Sequence, residues 1–281
     1  MVTSSSAYTV GASEAFGIQQ VIEGFNIADL AWGTANAKTV TLSFQVYSSL
    51  TGTFGGAIQN YAQNRSYPFT YTISSANTWT SVSVIIPGDT TGTWVTDNTG
   101  GLLVGFGLGC GSTYSGASGA WAGADYRSAT GATSVVGTSG ATWYITGVQL
   151  EVGTQATPFE FRHYSHELQM CQRYYWQMVS GTTIEVMING YNYQSTQWES
   201  VVTYPVEMRT VPTITFTATN TYTHRLSATS PSSISYYYAD STWARSQMLI
   251  YAVFSGLTQG QGAGLCSYNG RVAGFYFNAE L

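Results

Sequence analysis

The densest concentration of chemistry in this chain lies between Trp94 and Arg127. Trp121, Tyr126 and Tyr114 supply flat rings, Asp125 and Arg127 place two charged hydrogen-bonding groups beside them, and Trp94 sits in the nearby turn GTWVTDN. Sugars present C–H faces that pack on rings and hydroxyls that bond to carboxylates, amides and guanidinium groups. These six residues are therefore read as a candidate glycan-binding site. The competing reading is that Trp121 fills the end of a β-sandwich or packs on a neighbouring subunit. A second cluster, Tyr236-Tyr237-Tyr238 with Trp243 and Arg245, offers the same pairing of rings and charge. At least one of its tyrosines must face inward if the run is a strand.

Catalytic constellations are thinner. Asp89, Asp97 and Asp125 fall in loops where a glycosidase could keep an acid and a base. However, Pro-Gly-Asp-Thr around Asp89 and Thr-Asp-Asn-Thr-Gly around Asp97 are turn sequences in their own right. His163, His166 and Glu167 make at most an incomplete metal set, and His224 stands apart. No G-x-S-x-G elbow occurs, and GQGAG near Gly260 lacks the strand-to-helix setting of a nucleotide loop. Cys110, Cys171 and Cys266 are odd in number, widely spaced and without a CxxC, which argues against a disulfide framework or a zinc knuckle. No catalytic residue, no metal ligand and no cofactor is assigned.

Composition narrows the partners. Charged residues are only 8% of the 281 residues, against about a quarter in an ordinary globular protein. Aromatic residues reach 15%, which is incompatible with disorder. The nine basic residues are scattered and the net charge is −5, so phosphate neutralisation and nucleic-acid binding are disfavoured. No apolar run approaches the ~20 residues of a membrane helix, and the start does not read as a signal peptide, so no membrane insertion is expected.

The elements that must position these residues are strands. Phe16–Phe25, Thr39–Tyr47, Thr53–Gln63, Tyr67–Ser74, Thr80–Ile86 and Gly101–Gly109 alternate at period two and are separated by polar turns. In TVTLSFQVY, Val40, Leu42, Phe44 and Val46 share one face. Gly101–Gly109 alternates glycine with large apolar residues, a strand whose small face lets another layer approach. Gly55-Gly56 predicts a bulge or bend. Met1–Gly17 reads as a loop, and Cys110–Gly140 as a long ordered surface loop.

The chain pivots at 143–175. Tyr144, Thr146, Val148 and Leu150 alternate with Ile145, Gly147, Gln149 and Glu151 as one strand, which Gly153 and Pro158 end. From Ser165, a candidate N-cap, Leu168, Cys171 and Tyr175 follow helical spacing. Beyond it, Thr183–Asn189, Trp198–Tyr204, Pro212–Thr217, Tyr222–Ala228, Ser233–Tyr238, Gln247–Phe254 and Val272–Asn278 read as strands. Trp198, Ser200, Val202 and Tyr204 lie opposite Glu199, Val201 and Thr203. Gly256–Gly264 reads as a flexible connection. Glu207 and Arg209 read as a surface pair between Pro205 and Pro212.

The stretch Gly147-Val148-Gln149-Leu150-Glu151, Thr157-Pro158-Phe159-Glu160, Arg162, Tyr164, Glu167-Leu168 and Cys171-Gln172-Arg173-Tyr174-Tyr175 resembles a recurrent C-terminal module of bacteriophage tail-fibre and related virion proteins. The resemblance extends to EGFNIADLAWGTANAKTVTLSF, NRSYPFTYTISSANTW and GSTYSGASGAWAGADY upstream, and to YPVEMRTVPTITF and the closing Asn278-Ala279-Glu280-Leu281. Phe161 stands where a second Arg is usual, and His163 where Pro is usual. In this family further strands usually lie before the stretch corresponding to Met1–Gly17, so the first sheet is expected to lack a strand. The resemblance implies a carbohydrate-binding-module-like sandwich and a fibre-like homotrimer on the exterior of a phage particle, made in the host cytoplasm and contacting other virion proteins.

The expected fold class is all-β: an antiparallel, jelly-roll-like β-sandwich over residues 1–160, a helical junction over 161–176, and a second, smaller β-sandwich-like domain over 177–281. The expected function is a tail-fibre receptor-binding protein that attaches to a host cell-surface glycan without catalysis. The alternatives are a structural head-decoration or head-fibre protein without a glycan ligand, and a glycan-cleaving tail spike. Leu168, Met170, Cys171, Tyr174 and Tyr175 offer more apolar surface than one side of a short helix needs, and are expected at an oligomer interface.

Overall fold

A computed structural model describes residues 1–237 and 244–281. It is an all-β protein, in two compact units that divide between Phe161 and Arg162.

The first unit contains β1 (Val2–Thr3), β2 (Ala15–Glu23), β3 (Val40–Ser48), β4 (Gly52–Asn60), β5 (Ser66–Ile73), β6 (Thr80–Ile86), β7 (Gly100–Cys110), β8 (Ser115–Gly116), β9 (Ser128–Ala129) and β10 (Thr142–Val152). Two four-stranded antiparallel sheets, β1-β10-β3-β6 and β2-β7-β4-β5, form a jelly-roll-like sandwich. Alternation explains the core. Val40, Leu42, Phe44 and Val46 point inward from β3 and meet Leu102, Val104, Phe106 and Leu108 from β7. Phe44 packs edge-on against Phe106, with ring centroids 5.0 Å apart.

Local departures from simple alternation have physical causes. β10 is not one uninterrupted alternation, because its register against β3 shifts between Thr146 and Gln149. Gly147, at φ +58°, supplies the left-handed residue that a bulge of this kind needs. Trp143 and Ile145 therefore face the core before the bulge and Leu150 faces it after, although Tyr144 and Leu150 share one parity. Residues 1–17 are also not all loop: Val2 and Thr3 pair with Trp143 and Thr142, and β2 begins at Ala15. Ala28–Ala31, too short in sequence for more than one helical turn, forms the end and C-cap of a 3-10 helix over Gly24–Leu30 that buries Ile27 and Leu30.

The second unit begins with α1 (Tyr164–Gln172), followed by β11 (Tyr175–Val179), β12 (Val186–Gln194), β13 (Gln197–Thr203), β14 (Thr213–Phe216), β15 (Tyr222–His224), β16 (Ser233–Tyr237), β17 (Gln247–Val253), β18 (Gly262–Ser267) and β19 (Gly274–Asn278). A six-stranded sheet, β15-β18-β12-β13-β17-β16, and a three-stranded sheet, β11-β19-β14, share a core of Trp198, Met248, Ile250, Leu265, Phe275 and Phe277. Trp198, Ser200, Val202 and Tyr204 are buried, and Val201 is exposed, as the alternation predicts.

Three sequence expectations are corrected here. The helix belongs to the second unit and is capped by His163, whose Nδ1 accepts from the Ser165 N–H, so Ser165 lies inside the first turn. Tyr175 opens strand β11 and does not extend the helix. Gly262–Gly264 begins a strand of the six-stranded sheet and is not a flexible connection. Glycine is needed there because a Cβ on Gly264 would lie 2.8 Å from Val186. Arg209 donates from Nε to the Ala279 carbonyl at 2.7 Å, and Glu207 pairs with Arg245 at 2.8 Å. Among the described residues, no helix is long and apolar enough to cross a membrane.

Candidate functional site

The 110–140 loop lies over the glycine face of β7 and β4. Gly107 permits this approach: a Cβ there would stand 2.6 Å from Ser128 Oγ. Ser66 anchors the loop, exchanging backbone bonds with Ala122 and donating from Oγ to the Ala124 carbonyl at 2.7 Å. Further along, the Arg127 N–H donates to the Tyr114 carbonyl and the Thr130 N–H to the Gly116 carbonyl. The loop is thus ordered by backbone bonding, and its side chains are held by it.

The six predicted site residues do not form one site. Trp94 and Trp121 join Trp32 and Tyr67 in a packed cage, with Trp121 centroids 5.3 Å from Trp32, 5.6 Å from Trp94 and 5.3 Å from Tyr67. Every indole N–H in it is bonded: Trp32 to the Lys38 carbonyl, Trp94 to Asp89 and Trp121 to the Pro87 carbonyl. Trp94 is 8% exposed. The three indoles pack on one another with every N–H spent inside the protein, and Trp32 and Trp94 are buried, so this cage serves the packing of the sandwich.

Beneath the cage lies Asp89, only 1% exposed. Its carboxylate accepts two bonds from Arg65, at 2.9 and 2.6 Å, and one each from the Thr91 N–H and the Trp94 Nε1–H. Burial pushes the carboxyl up, but the Arg65, Thr91 and Trp94 donors outweigh it and hold the group below the usual carboxylate range. Arg65, Trp32 and Tyr67 were not singled out in the sequence. Trp32 is legible only as a tryptophan beside a turn, and Arg65 as a lone cation.

The remaining residues gather separately. Asp125 pairs with Arg127 through Nε at 3.1 Å and Nη2 at 2.7 Å, and accepts from Gln59 Nε2 at 2.7 Å. The Arg127 guanidinium lies 4.3 Å from the centre of the Tyr114 ring, a cation–π arrangement. The hydrogen bond to Asp125 holds Arg127 firmly protonated. Tyr126 turns away and lays its ring over Gly116.

Arg127 and Gln59 open onto a groove of about 230 Å³ on the outer face of β2, β7 and β4, which Phe16 and Gln19 also line. Its floor is Gly105. A Cβ added there would meet only the Ala57 carbonyl at 3.5 Å and Gln19 Cβ at 3.9 Å, so the space above it is open. Gln59 is buried although polar, and its register partner in β7 is Leu103. A glutamine buried in a Gly-Ala-Ile strand is the signal in the sequence that points to this groove.

The other candidates resolve as follows. Asp97 accepts from the N–H and Oγ1–H of Thr99, a turn of its own. His224 is buried, with Nε2 toward Asn192 Oδ1 at 3.0 Å and Nδ1 accepting from the Ser227 N–H at 3.2 Å; burial lowers its pKa, consistent with a neutral ring. Among the described residues, no group of three or more His, Cys, Asp and Glu gathers. Tyr238 and Trp243 of the second aromatic cluster lie outside the described residues. Its Tyr236 is about one-third exposed, and Arg245 donates to the Met208 carbonyl.

On α1, Leu168 is 41% exposed and Cys171 is exposed; Tyr175, which follows in β11, is 38% exposed. Met170 and Tyr174 are half-buried. The chain matches no protein-family model, no curated protein and no solved structure.

Proposed function

We propose that this is a non-enzymatic bacteriophage virion protein, a tail-fibre receptor-binding protein on the particle exterior, whose first unit holds a host surface glycan in the groove over Gly105. The observation that carries this reading is the groove itself. A glycine floor, the planar amides of Gln19 and Gln59, one guanidinium oriented by Asp125 and Tyr114, and the Phe16 ring form a concave surface that can bond hydroxyls and pack against a sugar face. The proposed site therefore keeps Tyr114, Asp125 and Arg127 from the sequence reading and releases Trp94, Trp121 and Tyr126. A non-catalytic role is supported by the state of the loop acids. Asp89, Asp97 and Asp125 are each bound to their own donors, where a glycosidase needs one carboxyl kept protonated near its partner.

The test is a bacterial glycan array read with the parent and with Gly105→Val and Arg127→Ala. Gly105→Val fills the groove where the structure has room, so it should abolish binding at unchanged melting temperature. Arg127→Ala should weaken binding by about tenfold, the loss of roughly one good polar contact. Parental binding by Gly105→Val would remove the groove as the site.

A purely structural virion role, in head decoration or a head fibre, is favoured by one feature: α1 and the start of β11 expose Leu168, Cys171 and Tyr175 together. We assign this stripe, with Met170 and Tyr174, to contacts between copies in a homotrimer, an arrangement in which three weak sites act together. Leu168→Asp is expected to lower the mass of the assembly in light scattering. Because Leu168 is 41% exposed, the fold should survive the change; an unaltered mass would refute the interface.

A further inference from the structure

On the outer face of β10-β3-β6, in the sheet opposite the groove, three aromatic rings stand together. Tyr144 and Tyr47 are register partners, with ring centroids 5.2 Å apart. Trp79, immediately before β6, lies 5.6 Å from Tyr47 and 6.5 Å from Tyr144. The turn before it is fixed by Asn77, at φ +57°, whose N–H donates to the Ser48 carbonyl and whose side chain bonds the Tyr47 hydroxyl at 3.3 Å. Trp79 is held over the sheet and is still 49% exposed.

Register extends the surface. The next row is Thr146, Gln45 and Ser81, and the one after it Gln149, Ser43 and Ser83. Thr146, Gln45, Ser81 and Ser83 are exposed. Rows on one face repeat every two residues, so aromatic and polar rows together run about 13 Å along strands about 4.8 Å apart. The far end is closed by Glu151, whose carboxylate is bound to the Thr157 N–H and hydroxyl.

The geometry points to this face as a second glycan-contact surface, where the half-exposed Trp79 ring packs against a sugar, Tyr47 and Tyr144 flank it at steep angles, and Gln45, Ser81 and Thr146 bond hydroxyls of the same neutral polysaccharide chain. The inference rests on the glycan reading above, but not on the groove. The chemistry selects the occupant. No Lys or Arg stands in these rows, which disfavours phosphate, nucleic acid and acidic lipid. The rings are bordered by hydroxyls and amides, whereas the centre of a protein interface is apolar. Ile85, the exposed aliphatic chain of β6, lies at the opposite end, one row beyond Ser83.

The test uses the full chain on an array of bacterial O-chain and capsular polysaccharide fragments, followed by calorimetry on each fragment bound. Trp79→Ala and Tyr144→Ser are compared with the parent and with Gly105→Val, each checked for melting temperature and assembly mass. The expected result is an affinity loss of about tenfold for Trp79→Ala, with a parallel loss for Tyr144→Ser and no change in mass. If Gly105→Val loses binding while both ring variants keep it, the second surface is refuted and the groove stands. If the ring variants lose binding and Gly105→Val does not, the surface stands and the groove falls. A drop in assembly mass on Trp79→Ala would make the face a contact between copies and overturn the inference. No binding by the parent to any fragment would overturn both.

Discussion

Replacing Asp89 with alanine is expected to lower the melting temperature of the first unit by roughly 10 °C, from a loss of about 3–5 kcal/mol. The size comes from what is left behind. Arg65 would remain with its side chain 19% exposed and without the carboxylate that takes both of its bonds, and Trp94 would lose the acceptor of its indole N–H. A buried charge without its partner costs far more than a surface pair yields. Arg65→Ala/Asp89→Ala should therefore be less damaging than the sum of the two single changes, because the double variant leaves no orphan charge.

The pH dependence at the same position has a definite sign. The Asp89 carboxyl is held below its ordinary range in the folded protein, so folding favours the ionised form. That contribution is present in full above the unfolded pKa of about 3.9 and is lost as pH falls through the lower folded value. The stability gap between the parent and Asp89→Asn should stay flat from about pH 8 to 5 and shrink below about pH 4. Thermal melts across that range check both statements. A gap that does not change on acidification would mean that Asp89 is not ionised in the folded protein.

Trp198→Ala is expected to have an effect of the same order in the second unit, about 3–5 kcal/mol. Trp198 is fully buried, and its Nε1–H donates to the Ala263 carbonyl at 2.9 Å, joining β13 to the start of β18 across β12. The indole lies against Gly190 of β12, where a Cβ would meet its Cζ2 at 2.6 Å. Gly190→Ala should thus destabilise through overpacking, by about 1–3 kcal/mol. Urea unfolding measures the loss, and hydrogen exchange should show faster opening of the β12, β13 and β18 amides. Parental protection of these strands in Trp198→Ala would contradict the packing described.

The aromatic cage changes how the earlier site expectation should be tested. Trp121 packs against Trp32, Trp94 and Tyr67, so its replacement would disturb the fold as well as any ligand site. Gly105→Val and Trp79→Ala avoid that confusion, since one adds atoms to open space and the other removes a half-exposed ring.

Alternation along the chain was enough to identify most of the strands that build both cores, though not β11 or β18 of the second. Period-two burial is a property of the strand itself, so Val40 to Val46 and Trp198 to Tyr204 declare their inner faces without reference to any partner. The glycine face of β7 also announced that another layer would lie close to it. Only the tertiary structure decided where the loop residues went. Trp121 and Arg127 are six positions apart in one irregular segment, where no repeat dictates direction, and each side chain followed the partners the sheets offered. Trp121 went to the Pro87 carbonyl and a ring cage, and Arg127 to Asp125 beside the groove. The same reason hid the groove and the Tyr47–Trp79–Tyr144 face. Both are made by register between strands distant in sequence, and register is set by how two patterns fit together.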